Sequence, residues 1–294
     1  ANRILLLLAN IRMGTAATNQ IYADCIAFAH PFSAPLGEPN REALTFADRL
    51  VLEKVSYTYG DTHIPVLQDV TLTIRRGESV GIVGPTGVGK STLIDLVLGL
   101  LQPSSGRILV DGKDVFQALR AWQRKIGYVP QSIFLIDDSM RRNIAFGLKD
   151  TDIDEHKLQA AIRMAHLEEF VASLPHGLDT MVGERGMRLS GGQRQRVGIA
   201  RALYHEPEVL LFDEATSALD NQTERAVIGA IDRLRGEKTL VIVAHRLSTV
   251  RGCDRLVFLR DGRIAGCGSF EELLANNEDF RVMAAAVSGN GISV

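Results

Sequence analysis

The sequence contains little cysteine. It has three, Cys25, Cys253 and Cys267, an odd number that cannot all pair with one another, and no two of them have C-x-x-C spacing. This usage fits a reducing compartment, and it disfavours both a disulfide-stapled secreted domain and a zinc site built on cysteine pairs. We therefore interpret all three as unpaired thiols.

Long apolar runs are also missing. The longest strongly apolar stretch near the N-terminus, Ile4 to Ala9, is far shorter than the run of about 18 apolar residues that a membrane-spanning helix needs. The chain as given is thus not predicted to cross a bilayer. It begins with Ala1 and lacks the basic, apolar and cleavage regions of a signal peptide, so we expect a fragment whose upstream part is missing.

Charge of one sign is not in excess. The chain has 33 Lys and Arg against 35 Asp and Glu, a net charge of -2, and no long single-sign block. This balance argues against a nucleic-acid partner, and any polyanion should be bound locally. With 46% hydrophobic and 23% charged residues, the 294-residue chain has the composition of a globular protein of one large or two small domains.

The first 46 residues differ in composition from the rest of the chain, with a helical pattern followed by a segment rich in proline. Apolar residues at three- or four-residue steps predict a helix over 2–28, although Gly14 weakens its middle. Three prolines and a glycine between Pro31 and Glu42 predict a linker over 31–46, with a new domain beginning near Leu44.

The rest of the chain alternates between β-rich runs and helical spacing. The predicted strands are 50–57, 70–74, 79–83, 107–110, 209–212, 239–243 and 255–259, and the predicted helical segments are 154–174, 192–204 and 223–234. We expect an α/β fold with a parallel core sheet, some antiparallel strands and a helical lobe inserted at about 132–205. The end of the chain, 287–294, is expected to be a flexible tail.

A glycine-rich string at 84–92, G-P-T-G-V-G-K-S-T, fits the phosphate-loop pattern G-x-x-x-x-G-K-[ST] between a strand and a helical run. Its glycines let backbone N–H groups point at phosphate oxygens, and the helix N-terminus favours negative charge there. Lys90 should bridge the β- and γ-phosphates, and Ser91 should ligate magnesium. The predicted nucleotide contacts of the loop are Gly84, Pro85, Thr86, Gly87, Val88, Gly89, Lys90, Ser91 and Thr92.

An apolar strand over 209–212 ends in two adjacent acids, Asp213 and Glu214. The strand would deliver both carboxylates to the carboxyl edge of the sheet, where ligands bind in α/β proteins. Asp213 would then hold magnesium, and Glu214 would polarise the water that attacks the γ-phosphate. An Asp-Glu pair at a strand end is by itself more typical of a solvated turn, and it indicates a site only together with the phosphate loop.

The string L-S-G-G-Q at 189–193, followed by R-Q-R, resembles the signature of ATP-binding-cassette (ABC) ATPases, and the resemblance covers residues 44–286. It implies a P-loop NTPase core with a parallel sheet, an antiparallel β subdomain and an inserted α-helical subdomain, within a nucleotide-binding domain at 47–286. It also implies an ATPase that uses ATP and Mg²⁺.

Further short strings resemble other motifs of this family, and each assigns a role to one residue. Tyr59 resembles the aromatic that stacks on adenine, and Gln131, in Y-V-P-Q, resembles the glutamine that meets magnesium and the transport domain. Asp220 ends a string similar to the D-loop, and His245, in V-I-V-A-H-R, resembles the switch histidine that senses the γ-phosphate. The resemblance therefore assigns catalysis to Lys90, Gln131, Glu214 and His245, and magnesium to Ser91, Gln131 and Asp213.

The signature residues Ser190, Gly191, Gly192 and Gln193 open a predicted helix whose N-terminus could bind an anion. In the family, this helix end faces the phosphate loop of another subunit, so the resemblance implies a head-to-tail dimer with ATP in between. Because the catalytic positions are filled, a homodimer would have two competent sites, while a heterodimer with a related subunit stays open.

Two segments resemble exporters in particular. T-M-V-G-E-R-G at 180–186 resembles the exporter loop T-x-V-G-E-R-G, and residues 1–30 are similar to the cytoplasmic end of the last transmembrane helix of half-transporters such as lipid-linked oligosaccharide flippases. An interfacial membrane helix is the alternative for 1–30. The exporter resemblance implies an upstream transmembrane domain, a location on the cytoplasmic face of the inner or plasma membrane, and a lipid-linked glycan or other amphipath as substrate.

Two other functions agree less well with the sequence. A non-transport ABC ATPase, acting as an ATP-gated clamp on protein or nucleic acid, should carry a coiled-coil insertion, tandem cassettes or a basic face, and the sequence has none of these. An ATP-binding switch without turnover conflicts with Glu214.

Overall fold

The computed structural model describes residues 44–60, 64–215, 221–244 and 246–289. The helix predicted over 2–28 and most of the linker lie outside these ranges, and so do Asp220 and His245. The first described residues are already part of a core: Leu44 and Phe46 are both buried, and the Phe46 ring meets Trp122 edge to face at 6.1 Å.

Ten strands occur within the described ranges, and they form two sheets. They are β1 (Arg49–Tyr57), β2 (Leu67–Arg75), β3 (Ser79–Val83), β4 (Ser105–Val110), β5 (Lys113–Asp114), β6 (Ile126–Val129), β7 (Val209–Asp213), β8 (Thr239–Val243), β9 (Arg255–Arg260) and β10 (Arg263–Gly268). One sheet is antiparallel throughout, with the order β2-β1-β4-β5. The other has the order β10-β9-β3-β8-β7-β6, and only its β9–β10 pair is antiparallel.

The same ranges contain ten α-helices. They are α1 (Lys90–Val97), α2 (Leu119–Gln123), α3 (Met140–Ile144), α4 (Glu155–Met164), α5 (Glu168–Ser173), α6 (Gly191–Tyr204), α7 (Asn221–Leu234), α8 (Leu247–Val250), α9 (Phe270–Asn276) and α10 (Glu278–Gly289). Helices α3 to α6 all fall between β6 and β7 in the sequence. Within the part of the chain that is described, no helix has the length and hydropathy for a membrane crossing.

The six-stranded sheet separates two hydrophobic cores. Side chains alternate across a strand, so Leu210 and Phe212 of β7 enter one core while Val209 and Leu211 enter the other. The first core packs the sheet against the inserted helices, and the second packs it against α1 and the antiparallel sheet. All five residues of β3 and of β8 are buried, as expected for parallel strands covered on both faces. The predicted α/β fold, with its antiparallel β subdomain and inserted helices, is confirmed.

The structure differs from the sequence expectation at several elements. The helical pattern at 154–174 is two helices, α4 and α5, because the chain turns at His166, whose φ is +54°. The short strand β6, the glycine-containing strand β10 and the helices α9 and α10 were not expected. Helix α9 had a readable signal, since Ser269 and Glu272 form a capping box at its start. Helix α10 continues to Gly289, into the segment expected to be a tail.

Candidate nucleotide site

The phosphate loop connects β3 to α1, and two of its glycines are sterically required. Gly84 and Gly89 have φ values of +155° and +101°. A Cβ at Gly84 would lie 2.4 Å from the carbonyl oxygen of Leu259, and one at Gly89 would lie 2.8 Å from the side chain of Leu67. No side chain caps α1, so the N-terminal amides of this helix are presented to a ligand.

Lys90 lies across the loop. Its side chain is buried, with 5% exposure, and Nζ donates to the carbonyl oxygens of Gly84 (3.0 Å) and Pro85 (2.9 Å). Burial lowers the pKa of Lys90, while the nearby carboxylates of Glu214 and Asp213 raise it. The structure therefore brings this ammonium group, the loop and both acids of 213–214 into one site.

Asp213 ends β7 in a partly buried environment. Burial raises the pKa of its carboxyl group, with further increases from Glu214 and Asp95, while Lys90 and a hydrogen bond from Tyr128 act in the opposite direction. Its Oδ1 atom is buried without a hydrogen-bond partner. An unpaired buried carboxylate oxygen is costly, and a bound cation or water would satisfy it.

A magnesium ion fits the residues that the sequence assigned to it. Ser91, Gln131 and Asp213 offer a hydroxyl, an amide and a carboxylate oxygen, the hard donors that Mg²⁺ prefers. The unpaired Oδ1 of Asp213 is the observation that favours a cation there. In the described residues, no group of three or more His, Cys, Asp or Glu side chains could hold a metal, so water and phosphate oxygens would supply the remaining ligands.

Gln131 and Glu214 meet across two neighbouring parallel strands. Gln131 follows β6 and Glu214 follows β7, and the amide Nε2 of Gln131 donates to Glu214 Oε2 at 2.8 Å. The backbone of Glu214 has φ of +49°, and its N–H donates to the carbonyl oxygen of Val243 at 2.9 Å. One carboxylate oxygen and the backbone of Glu214 are thereby held at the carboxyl edge of the sheet.

Tyr59 presents a partly exposed ring beside the loop. The residue is 43% exposed, its hydroxyl lies 3.1 Å from the hydroxyl of Thr92, and the Tyr57 ring packs against its ring edge to face at 4.8 Å. An exposed aromatic face held near a phosphate loop can stack on a nucleobase.

The signature residues lie at the start of α6, in a place that the described contacts do not connect to the loop. Ser190 is the N-cap: its Oγ accepts from the N–H of Gln193 (3.2 Å), and its own N–H donates to Gln193 Oε1 (2.7 Å). This capping box was readable from the S-x-x-Q spacing but was not predicted. Among the described residues, no hydrogen bond or ion pair joins 189–193 to 84–92, so the structure assembles the candidate site without the signature.

Sequence reasoning missed Tyr128. It pairs with Leu211 in the β6–β7 register, so its side chain shares a face of the sheet with Asp213, two residues further along β7. Burial, followed by the charges of Asp213 and Asp95, raises the pKa of Tyr128 to about 12. The alternation of side chains along β6 would place Tyr128 on the face of Asp213, but the sequence pattern does not identify β6 as a strand.

The exporter-like segment at 180–186 ends in a tight turn whose Glu184 and Arg185 are exposed, while Val182 and Gly186 are buried. Gly183 and Arg185 have φ of +76° and +51°, and Glu184–Gly186 forms a 3₁₀ turn. Several large apolar side chains are exposed in this part of the inserted helical region, namely Phe134, Phe146, Met181 and Met187.

Comparisons with known proteins agree with this geometry. The profile of the ABC transporter family matches residues 67–217. An ATP-dependent lipid A-core flippase of Cupriavidus pinatubonensis is 44% identical over 230 residues, which are 78% of this chain and 39% of that protein. A putative multidrug export ATP-binding/permease protein of Staphylococcus aureus is 43% identical over 228 residues, which are 77% of this chain and 39% of that protein.

A solved structure shares the fold. The structure of a bacterial Atm1-family ABC exporter with ATP bound has a TM-score of 0.77 and 37% identity, and the match covers 87% of this chain and 44% of that one. The chain thus spans less than half the length of each of these three proteins.

Proposed function

This chain belongs to the ABC transporter family, and we propose that it is the ATP-binding and ATP-hydrolysing domain of an exporter. The observation that carries the proposal is the separation of the site into two parts. The phosphate loop, Asp213, Glu214 and Gln131 lie together, while the start of α6 makes no described polar contact with the loop. A second molecule would bring its own signature to complete the site.

In the proposed complex, the nucleotide follows the loop. The adenine stacks on Tyr59, and the phosphates accept hydrogen bonds from the amides of 84–92. Lys90 exchanges its two carbonyl partners for β- and γ-phosphate oxygens. Ser91, Gln131 and Asp213 would hold Mg²⁺, which would neutralise part of the charge on the phosphate oxygens.

Hydrolysis would depend on the orientation of one carboxylate. Glu214 accepts a hydrogen bond from the attacking water and so directs it at the γ-phosphate. Gln131, which donates to Glu214 at 2.8 Å, restrains this carboxylate. His245 is proposed to sense the γ-phosphate, and Asp220 to line the interface between the two molecules.

Dimer closure is the proposed output of ATP binding. The signature of one molecule, Ser190 to Gln193, would grip the ATP held by the loop of its partner. A ligand shared by both molecules stabilises the closed dimer, and hydrolysis removes that stabilisation. The partner is a second copy or a related subunit.

We further propose that closure drives an exporter-type transmembrane domain that precedes these residues in the same polypeptide. The exposed apolar side chains near 180–187 and the names of the relatives, a flippase and a multidrug exporter, support this over an ATP-gated clamp. The domain would then act at the cytoplasmic face of the inner or plasma membrane, and a lipid-linked glycan or another amphipath is the proposed cargo.

The substitution Glu214→Gln tests the hydrolytic assignment. We expect ATP binding to persist, turnover to fall by a factor of about 100 or more, and an ATP-bound dimer to accumulate, because only the group that directs water is changed. Steady-state phosphate release, a fluorescent-ATP titration and light scattering measure these three properties. Glu237→Gln, an exposed acid before β8, is the control. Wild-type turnover in Glu214→Gln would refute the proposal.

A further inference from the structure

Glu224 is a buried acid in the first turn of α7 that the site described above does not use. Its side chain is 8% exposed. One carboxylate oxygen, Oε2, forms an ion pair with Nη1 of Arg246, and the other, Oε1, accepts a hydrogen bond from Ser248 Oγ at 2.7 Å. Both partners lie in the short segment that follows β8, more than twenty residues away in sequence.

This segment contains the proposed switch residue, His245. On the N-terminal side of His245, the N–H of Ala244 donates to the carbonyl oxygen of Ile82 in β3 at 3.3 Å. On its C-terminal side, Arg246 and Ser248 are held by Glu224. The residues that flank His245 are therefore attached to two different elements, the strand that leads into the phosphate loop and the helix α7.

A buried carboxylate is a strong constraint when both of its oxygens are engaged. A desolvated acid is costly unless it is paired and hydrogen-bonded, and Glu224 meets both conditions only with the 246–248 segment in its present place. The guanidinium of Arg246 is partly buried as well, so the pair is weakly screened by solvent.

We propose that Glu224 is a positioning residue for the reaction, and that its contacts with Arg246 and Ser248 fix the segment that directly follows His245 in the sequence, so that the switch residue can act on the nucleotide. The inference rests on the proposed function, in which His245 senses the γ-phosphate. Because α7 begins directly after the D-loop string, the same contacts tie this helix to the 246–248 segment.

Epistasis with His245 tests the proposal. In the otherwise unchanged chain, Glu224→Gln should lower kcat by roughly tenfold to a hundredfold, since small misplacements of a catalytic group have effects of that size. ATP affinity, measured by fluorescent-ATP titration, should change less than twofold, because the phosphate loop is intact. In a His245→Ala background, the same Glu224→Gln change should leave the residual turnover unaltered.

Two further variants keep the test decisive. Arg246→Gln should reproduce the loss of kcat, and it replaces Glu224→Gln if that variant does not fold. Glu208→Gln is the matched control, because it removes a similar acid from an ion pair with Lys125 at the N-terminal edge of β7. It should lower the melting temperature without changing kcat.

Either of two results would overturn the inference. One is an unchanged kcat in folded Glu224→Gln or Arg246→Gln. The other is a Glu224→Gln effect of full size in the His245→Ala background, which would show that the acid acts only through general stability. Failure of the proposed function itself would instead appear as wild-type turnover in Glu214→Gln, so the two failures are distinguishable.

Discussion

Adjacent residues at 213 and 214 occupy different environments although both are acids. Asp213 points into a partly buried place where one of its oxygens has no hydrogen-bond partner, and burial raises its pKa. Glu214 adopts a left-handed backbone conformation and receives a hydrogen bond from Gln131. A raised pKa means that Asp213 takes up a proton at a higher pH than an ordinary aspartate. If Asp213 holds magnesium as proposed, acid should therefore weaken that binding before it protonates a solvated carboxylate.

At the same scale, Tyr59 offers a test of base recognition. Tyr59→Ala should weaken ATP binding by about 1–3 kcal/mol through lost stacking. Tyr59→Phe keeps the ring and removes the hydroxyl that contacts Thr92, so it should bind ATP nearly as well as the wild type. Fluorescent-ATP displacement by ATP and by inorganic triphosphate measures both effects. An equal loss for the triphosphate, which has no base, would contradict adenine stacking.

At the scale of elements, the N-terminus of α6 combines a structural role, helix capping, with a proposed role in nucleotide binding. Its capping box satisfies N–H groups at the helix start, and the same N-terminus is the proposed anion-binding signature. The helix is also tightly packed, since a Cβ at Gly198 would lie 2.3 Å from the side chain of Ile133. Ser190 could therefore affect both the stability of the helix and ligand binding, and two different substitutions are needed to distinguish these effects.

Ser190→Ala and Ser190→Asp separate them. Alanine removes the cap and should lower the free energy of unfolding by about 1 kcal/mol, whereas aspartate is an equally good N-cap and should preserve it. Aspartate would nevertheless repel the γ-phosphate, so we expect Ser190→Asp to be stable but unable to form the ATP-bound dimer. Urea denaturation without nucleotide and light scattering with ATP are the two measurements. Dimerisation of Ser190→Asp with ATP would contradict the proposed role of the signature.

At the scale of the whole molecule, the incomplete site predicts complementation between two inactive variants. Lys90→Ala removes the loop ammonium, and Ser190→Asp blocks the signature. In a head-to-tail heterodimer, one site carries both defects while the other pairs an intact loop with an intact signature.

We therefore expect a mixture of Lys90→Ala and Ser190→Asp to hydrolyse ATP faster than either variant alone at the same total concentration. Phosphate release across a series of mixing ratios measures this, with a maximum near equal amounts. Lys113→Ala, an exposed lysine of β5, is the control that should be active by itself. Absence of any recovery would indicate that each molecule uses its own signature.

The elements that were predicted well are those whose local sequence pattern is typical of one kind of secondary structure only. Strands β3 and β8 have the bounds expected from their short apolar runs, and α6 begins one residue before its expected start. The split between α4 and α5 was missed because the apolar spacing continues through the break, and only the backbone at His166 reveals it. Strand β6 is four residues long and contains a glycine, so its pattern was too short to detect.

The sequence by itself determined the fold class, the phosphate loop and the identity of the acids at 213 and 214, because each depends on residues that are close together in the chain. Only the tertiary structure decided which distant residues meet. Gln131 and Glu214 are 83 positions apart and Glu224 and Arg246 are 22 apart, and each pair forms through long-range packing that no local pattern encodes. The order of strands in the sheet and the docking of α7 supply that proximity, and in the described residues the same packing makes no polar contact between the signature of α6 and the phosphate loop.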